Sequence, residues 1–511
     1  MSVNHRGNMP ENESADVAEI LQKALALHRS ANYKSAEQTY LQVLALQPGH
    51  FDALHLLGVL ARQRGDPTMA IALIRRAIAQ DSGQALAWCN LGAALQDLGE
   101  SEAALAQYEH AILLRPDYAL AHNNRGNALR KLGRLEEALQ SYAAALQHQP
   151  DYAEAAYNRG TVLHRLERYE GALRSYEFAL AKKPVYADAW CNHGSALHML
   201  QHYEEALASF DQALHIDARH AGAWCNRGLA MQKLRRYQEA LDCHDNALLQ
   251  RPDYAEAHLF RGNILRLLQR PDEAMQAYRD ALQFGADVEQ VEFALAAMGD
   301  ATVDAPALAP AAYVQKLFDQ YADHFDEHLQ DVLHYRTPDL LLAALQKAGI
   351  SIGGDCVDLG CGTGLCGMLL RPLVRRLSGV DLSPKMLEKA AQRGIYHQLA
   401  CLELSEYLSR HDAEFDLAVA ADVLVYIGDL AALMQAVRHA LRPGGVFAFS
   451  VEEGEDATYT LRASHRYAHS AAYLEQVAGD AGLSIKLLEQ HVLREDQGVP
   501  VMGLLAVLVS A

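Results

Sequence analysis

The sequence predicts two folds in tandem: an all-α solenoid, then a doubly wound α/β domain. Three observations carry this. Small, aromatic and Pro positions recur every 34 residues from Ala36 to Ala274. The stretch GDATVDAPALAPAA, 299–312, is rich in Ala, Pro and Asp and breaks that period. From about 313 strand-like apolar runs alternate with helix-like segments, and the first leads into a Gly-rich loop, VDLGCGTGLCG at 357–367.

A chain of 511 residues is too long for one ordinary core, which agrees with more than one domain. Residues 1–16 lack an apolar run, so they read as a disordered tail and not as a signal peptide. Eight units follow, from 17–50 through 255–288. Their small column is Gly58, Gly92, Gly126, Gly160, Gly194, Gly228 and Gly262. A second column runs from Ala36 to Ala274, and an aromatic column through Tyr40, Tyr108, Tyr142, Tyr176, Phe210 and Tyr278. Pro48, Pro116, Pro150, Pro184 and Pro252 end their units, because Pro lacks the N–H that a helix needs. Ser82, Ala218, Ile74 and His244 interrupt these columns.

This order at a period of 34 resembles the tetratricopeptide repeat. The resemblance implies two antiparallel helices per unit, stacked into a superhelix with a concave surface. The aromatic is expected to fill the gap between neighbouring units. Segment 289–312 is expected to hold a capping helix and the linker.

Asn90, Asn124, Asn158, Asn192 and Asn226 form a further column two residues before the Gly. Asn offers one acceptor and two donors, which suits the backbone of an extended peptide. The column is similar to the asparagine ladder of the protein O-linked N-acetylglucosamine transferases, which implies a protein or peptide partner in the groove. The alternative is a polar face that is merely solvated. Trp88, Trp190 and Trp224 form another column and read as core.

Composition narrows the function. Acidic residues outnumber basic ones, 64 to 45, for a net charge of −19, so a nucleic-acid partner is not expected. No apolar stretch reaches the roughly 18 residues of a membrane span. The eight cysteines show neither CxxC nor zinc-like spacing and read as reduced thiols of a cytoplasmic protein, with no metal site.

In the α/β domain, 313–511, strands are expected at 355–359, 377–382, 415–421, 445–451, 484–490 and 501–509, the last two as a hairpin. The Gly loop carries two overlapping patterns. GxGxG at Gly360, Gly362 and Gly364 suits S-adenosylmethionine; GxGxxG, ending at Gly367, suits a dinucleotide. Asp358 separates them: a carboxylate aimed at the loop repels a pyrophosphate and favours a methionine ammonium and a sulfonium. Asp381, which can take ribose hydroxyls, serves either ligand.

The run VDLGCGTG, GVDLSPKMLEKA, FDLAVAADVLVYIGDL and LRPGG resembles the seven-stranded, Rossmann-like class I methyltransferases. That resemblance implies S-adenosyl-L-methionine as cofactor, with Leu382 and Met386 around adenine. Glu403 and Leu404 stand where the family usually carries an Asp near the adenine amino group. YVQKLFDQYADHFDEHL, ADVLVYIGDL and RYAHSAAYLEQVAGDAG look like the bacterial methyltransferases with amino-terminal tetratricopeptide repeats.

Methyl transfer needs alignment first and a base only where the acceptor keeps its proton. Tyr426 is the first candidate for touching the acceptor, or else an aromatic under the loop. His469 is a candidate base, although Ser470 beside it also reads as a helix N-cap. Tyr321 and Phe325 lie four apart and form a lid or a core face. Arg466 pairs with an acidic acceptor or stands at the surface. The sequence thus reads as a methyltransferase whose repeats recruit a protein partner or substrate. Its rivals are a scaffold that binds the cofactor without turnover, and an NAD-dependent oxidoreductase.

Overall fold

The computed structural model describes residues 11–322, 325–327, 329, 335–496 and 499–511. The chain divides into two compact units, Met1–Pro252 and Asp253–Ala511.

Among the described residues, fourteen helices build the first unit, from α1 (Glu11–Arg29) to α14 (Tyr237–Gln250), packed as consecutive pairs. The 34-residue columns explain the pairing. A Cβ on Gly126 or Gly160 would come within 2.6 Å of the ring of Tyr142 or Tyr176 on the second helix of the same pair. Gly92 and Gly194 stand the same way to Tyr108 and Phe210, at 2.7 Å. The aromatic therefore seats on the glycine of its own unit, not between units as expected. These rings are almost wholly buried, and burying one such as Phe210 contributes on the order of 2 kcal/mol.

Helices ending at Leu114, His148 and Lys182 each stop two residues before the column Pro. The intervening Arg115, Gln149 and Lys183 have φ of −141°, −133° and −137°, as a following proline requires. Helix starts use ordinary capping: Asp66 accepts from the Met69 N–H at 2.8 Å, with Pro67 in the first turn.

The second unit opens with α15 (Ala255–Leu267) and α16 (Pro271–Gln283), the eighth pair, and then α17 (Val288–Ala297). Phe293 of α17 is buried among the rings of Tyr313, His465 and Tyr467, with centroids 5.3, 5.4 and 6.4 Å away. The segment expected as a linker is sewn to the sheet. Ala307 O accepts from the Gly428 and Asp429 N–H groups at 2.8 and 2.9 Å, and the Ala309 N–H donates to Tyr426 O at 2.9 Å. Pro306 O accepts from the Tyr467 hydroxyl at 2.6 Å.

Among the described residues a nine-stranded sheet follows: β1 (Asp355–Leu359), β2 (Arg376–Asp381), β3 (Gln398–Cys401), β4 (Phe415–Ala420), β5 (Leu441–Glu453), β6 (Tyr459–Leu461), β7 (Tyr467–His469), β8 (Leu483–Asp496) and β9 (Val499–Ser510). Strands run β3-β2-β1-β4-β5 in parallel, and β9 then pairs antiparallel with both β5 and β8. The seven longer strands form the expected α/β sheet, with β8 and β9 as the expected hairpin. The short β6 and β7 extend it at Glu452 and Glu453 of β5. Central strands β1 and β4 are buried along almost their whole length, so they read as apolar runs instead of alternating ones. No helix among the described residues is long and apolar enough to cross a membrane.

Candidate functional site

The loop after β1 turns on glycines held at φ of 67° (Gly360), 53° (Gly362) and 95° (Gly364), a region that side-chain-bearing residues rarely enter. The N–H groups of Gly360 and Cys361 bond to Val380 O at 2.8 and 3.0 Å, which fixes the loop to β2. Gly364 caps the short helix Leu365–Leu370.

Gly367, the glycine that completes GxGxxG, has a different reason to be there. A Cβ on it would come within 2.2 Å of the Tyr396 hydroxyl, and one on Gly379 within 2.9 Å of the same ring. Tyr396 uses this space to reach Asp358, donating to Oδ2 at 2.6 Å. Asp358 is 1 % exposed; burial pushes its carboxyl up to about 7, against the pull of the Tyr396 hydrogen bond. Asp358 thus lies beneath the loop, its carboxylate turned to Tyr396.

Above the loop a cavity open at its mouth runs across the ends of the strands, where open α/β sheets bind their ligands. Gly360, Gly362 and Thr363 line one side, and Asp381, Leu382, Glu403 and Leu404 the adjoining end. Asp381 accepts from the Gly362 N–H at 2.9 Å and the Ser383 N–H at 2.8 Å. Burial raises its pKa and these N–H groups oppose the rise. Glu403 accepts from the Glu406 N–H at 2.9 Å and caps Leu404–Ser409. Met386 is fully buried in helix Pro384–Gln392 and lies behind the cavity wall.

Asp381 and Glu403 make this end acidic, with Asp358 beneath the loop and not on the cavity lining, while Arg393 beside the loop is paired with Asp326 and donates to Thr363 O. Such acceptors suit a ligand with hydroxyls and cationic groups and repel a pyrophosphate.

The far end holds Asp422, Tyr426, Arg466 and Arg494. Asp422 follows β4 at φ 59°, a strained conformation for a residue with a side chain. Its N–H donates to Ser450 Oγ at 2.9 Å. Arg494 Nη1 donates to both Asp422 oxygens, at 2.6 and 2.7 Å, and Nη2 to Glu452. Tyr426 is 8 % exposed, edge-on to Phe318 at 5.5 Å and in contact with Arg466.

The aromatic wall over the cavity is Phe318 with Phe325, their rings 5.9 Å apart. Tyr321, expected to share a face with Phe325, is 42 % exposed and off the cavity, because the helix Ala311–Tyr321 ends there. Two carboxylates pin this wall. Asp319 accepts from Ser383 Oγ, and Asp326 from Thr363 Oγ1, both at 2.5 Å.

His469 does not reach the cavity. It is fully buried in β7, with Nε2 3.0 Å from Gly428 O and its ring stacked on Tyr473. Burial lowers its pKa to about 4. Ser470 beside it is an N-cap, accepting from the Tyr473 N–H at 3.2 Å. His465 faces Tyr313 instead, 3.2 Å from its hydroxyl.

In the first unit the amide donors of the Asn column turn to the preceding repeat. Nδ2 of Asn90 lies 2.9 Å from His55 Nε2, and that of Asn124 3.8 Å from Cys89 Sγ. Asn158 donates to Asn123 Oδ1 at 3.0 Å, Asn192 to the Tyr157 hydroxyl at 3.1 Å, and Asn226 to Ser195 Oγ at 3.0 Å. The Trp column is half-buried; Trp88, Trp190 and Trp224 donate to backbone carbonyls six residues earlier, at 2.8, 3.0 and 3.0 Å.

Six residues at or around the cavity were not singled out from the sequence: Phe318, Asp422 and Arg494 line it, while Tyr396, Asp319 and Asp326 bond to Asp358, Ser383 and Thr363. They meet only through the parallel crossovers and the β8–β9 hairpin.

Comparison with known proteins finds relatives of both parts of the chain. Residues 357–447 match the family model described as methyltransferase domain. Residues 21–85, 157–221 and 225–289 match tetratricopeptide repeat, and 97–133 and 126–167 match TPR repeat. A malonyl-[acyl-carrier protein] O-methyltransferase of Pseudescherichia vulneris is 33% identical over 138 residues, 27% of this chain and 52% of that protein. A ubiquinone biosynthesis O-methyltransferase of Thiobacillus denitrificans is 27% identical over 157 residues, 27% of this chain and 67% of that protein. Another malonyl-[acyl-carrier protein] O-methyltransferase, from Serratia marcescens, is matched over only 38% of its length, at 34% identity and over 19% of this chain. Among solved structures, YrrB, described as a TPR protein with an unusual peptide-binding site, is 28% identical. That match covers 36% of this chain and 95% of YrrB, with a TM-score of 0.32.

Proposed function

From a chain that carries tetratricopeptide repeats and a methyltransferase domain, we propose an S-adenosylmethionine-dependent methyltransferase whose repeats recruit a protein partner or substrate. One observation carries the reading. The glycine loop, the carboxylates of Asp381 and Glu403, and Tyr426 border a single cavity, with acid at one end and guanidiniums at the other.

When bound, S-adenosylmethionine supplies a methyl group already activated by its sulfonium. Asp381, held by two backbone N–H groups, takes the ribose hydroxyls. Leu382 and Leu404 flank the adenine, with Glu403 at its amino group. Asp358 acts from below the loop, lending negative potential to the place where the cationic end lies. Phe318 and Phe325 close the cavity over the reacting atoms and exclude water. Tyr426 orients the acceptor at the other end.

In the repeats, the Asn column keeps its peptide-binding role through its carbonyl oxygens. With Nδ2 given to the preceding repeat, Oδ1 of Asn90, Asn158, Asn192 and Asn226 accepts from a client's backbone N–H groups.

The test is labelled methyl incorporation by the full chain, beside calorimetry with S-adenosylhomocysteine and with NAD. Binding of S-adenosylhomocysteine with methyl incorporation supports the enzyme. Binding without incorporation leaves a scaffold, and preference for NAD removes the reading altogether.

A further inference from the structure

We infer that the repeat 153–186 holds a site for an acidic side chain of a protein partner, its carboxylate received by Arg159 and Arg174 beside Phe178. The site is separate from the Asn column and does not depend on the reading of the α/β cavity.

Neighbouring repeats define it by contrast. Arg125, Arg159, His193 and Arg227 stand one residue before the column Gly in four successive units. Each is held by the residue sixteen positions ahead. Arg125 donates to Ser141 Oγ at 2.8 Å, Arg159 to Ser175 Oγ at 3.1 Å and Arg227 to Cys243 Sγ at 3.0 Å, while His193 Nδ1 lies 2.9 Å from Ser209 Oγ. Three of them also meet an acid sixteen positions behind, on the second helix of the preceding unit. Arg125 pairs with Glu109 at 3.3 Å, Arg227 with Asp211 at 2.8 Å, and His193 Nε2 lies 4.0 Å from Glu177. The fourth does not. Ala143 occupies the acid's place behind Arg159, and among the described residues Arg159 forms no ion pair.

A second cation stands where the acid is missing. The helices α8 (Leu135–His148), α9 (Ala153–Arg165) and α10 (Tyr169–Lys182) border a pocket lined by Leu146, Pro150, Ala156, Arg159, Arg174 and Phe178. Arg174 is exposed and, among the described residues, unpaired. Arg159 is half-buried; its burial and the charge of Arg174 both press its pKa below the ordinary value. Two like charges side by side oppose each other until an anion joins them. The acids of α10 do not supply it: Glu177 faces His193, and Glu170 forms no ion pair among the described residues. Lys182 adds a third cation, its Nζ 5.7 Å from the centre of the Phe178 ring.

The neighbouring units also say which anion fits. Glu109 and Asp211 place a carboxylate against the same column position, and the guanidinium fork matches its two oxygens. Phe178 is 38% exposed and, with Leu146 and Pro150, offers apolar surface beside the charges. An acidic residue with an apolar neighbour meets both. On a chain of net charge −19, such a local cationic patch selects where an acidic partner docks.

The test titrates the full chain with acetyl-Leu-Glu-Phe-amide and with acetyl-Leu-Gln-Phe-amide, followed by nuclear magnetic resonance of the peptide. The Glu peptide is expected to bind about tenfold more tightly. Ala143→Glu restores the acid found in the neighbouring units, and is expected to erase that preference and raise the melting temperature. Ala143→Gln, of equal size, is expected to keep the preference. Arg174→Ala is expected to weaken the Glu peptide about fivefold. Equal binding of the two peptides, or binding of neither, overturns the site. Equal weakening by Ala143→Glu and Ala143→Gln shows crowding in place of charge and overturns the role of Arg159. Inorganic phosphate binding more tightly than the Glu peptide overturns the choice of a carboxylate. Failure of S-adenosylhomocysteine to bind counts against the α/β reading and not against this site.

Discussion

The Tyr396 hydroxyl lies 2.6 Å from Oδ2 of Asp358, in a space kept open by Gly367 and Gly379. One glycine of the loop thus serves a tyrosine, not a ligand. The arrangement also leaves Asp358 poised between its charged and neutral forms.

With its carboxyl near 7, Asp358 is expected to make S-adenosylhomocysteine binding tighten about tenfold between pH 6 and 8, as the ionised form gains. Calorimetry across that range checks this, and Asp358→Asn should flatten the profile. Stability runs the other way. A folded pKa above the unfolded 3.8 means that the folded chain holds the extra proton, so stability falls as pH rises from about 4 to 7. Asp358→Asn is therefore expected to raise the melting temperature of the ligand-free protein at pH 8, by an effect on the order of 4 kcal/mol.

Gly367→Ala forces Tyr396 to move, because its Cβ would meet the hydroxyl at 2.2 Å. A cost of about 1–3 kcal/mol is expected, together with weaker S-adenosylhomocysteine binding. Gly353→Ala is the control, since its Cβ would meet nothing within 4 Å. Thermal melts of the two variants should differ by several degrees.

Arg494→Ala leaves Asp422 and Glu452 without their shared partner inside the sheet. A loss of about 3–5 kcal/mol in urea unfolding is expected. Arg466→Ala, whose side chain is 26% exposed, should cost far less.

Asp319→Ala and Asp326→Ala unpin the aromatic wall from Ser383 and Thr363. Each hydrogen bond is worth roughly 1 kcal/mol, so stopped-flow release of S-adenosylhomocysteine is expected to speed up about fivefold per substitution. Rates unchanged in both variants would show that the wall does not gate release.

The repeats were legible because their information is periodic: a glycine and a ring in each unit repeat one contact. The strands were legible where they are long and apolar, as in FDLAVA. β3, β6 and β7 are three or four residues long, too short for a pattern. Gly360, Gly362, Asp381 and Glu403 all line the cavity because a single loop and two strand ends place them there. His469 looked catalytic by type, but its register in β7 turns it to Gly428. Tyr321 missed because sequence spacing assumed a helix running past its actual end. Arg494 reaches Asp422 from 72 residues away, a meeting that only the antiparallel hairpin creates.

The strip from Pro306 to Ala309 belongs to the α/β half by its bonds, although its composition is that of a tether. Leu308 and Ala309 form part of the cavity wall, and the carbonyls before them hold the turn after Tyr426. A gene fusion that exchanged one repeat array for another by cutting at Ala311 would inherit a methyltransferase with a missing wall. Recombination upstream of Asp253, where the compact units part, would pass the site on whole, so the heritable module is longer than the sheet and begins among the repeats.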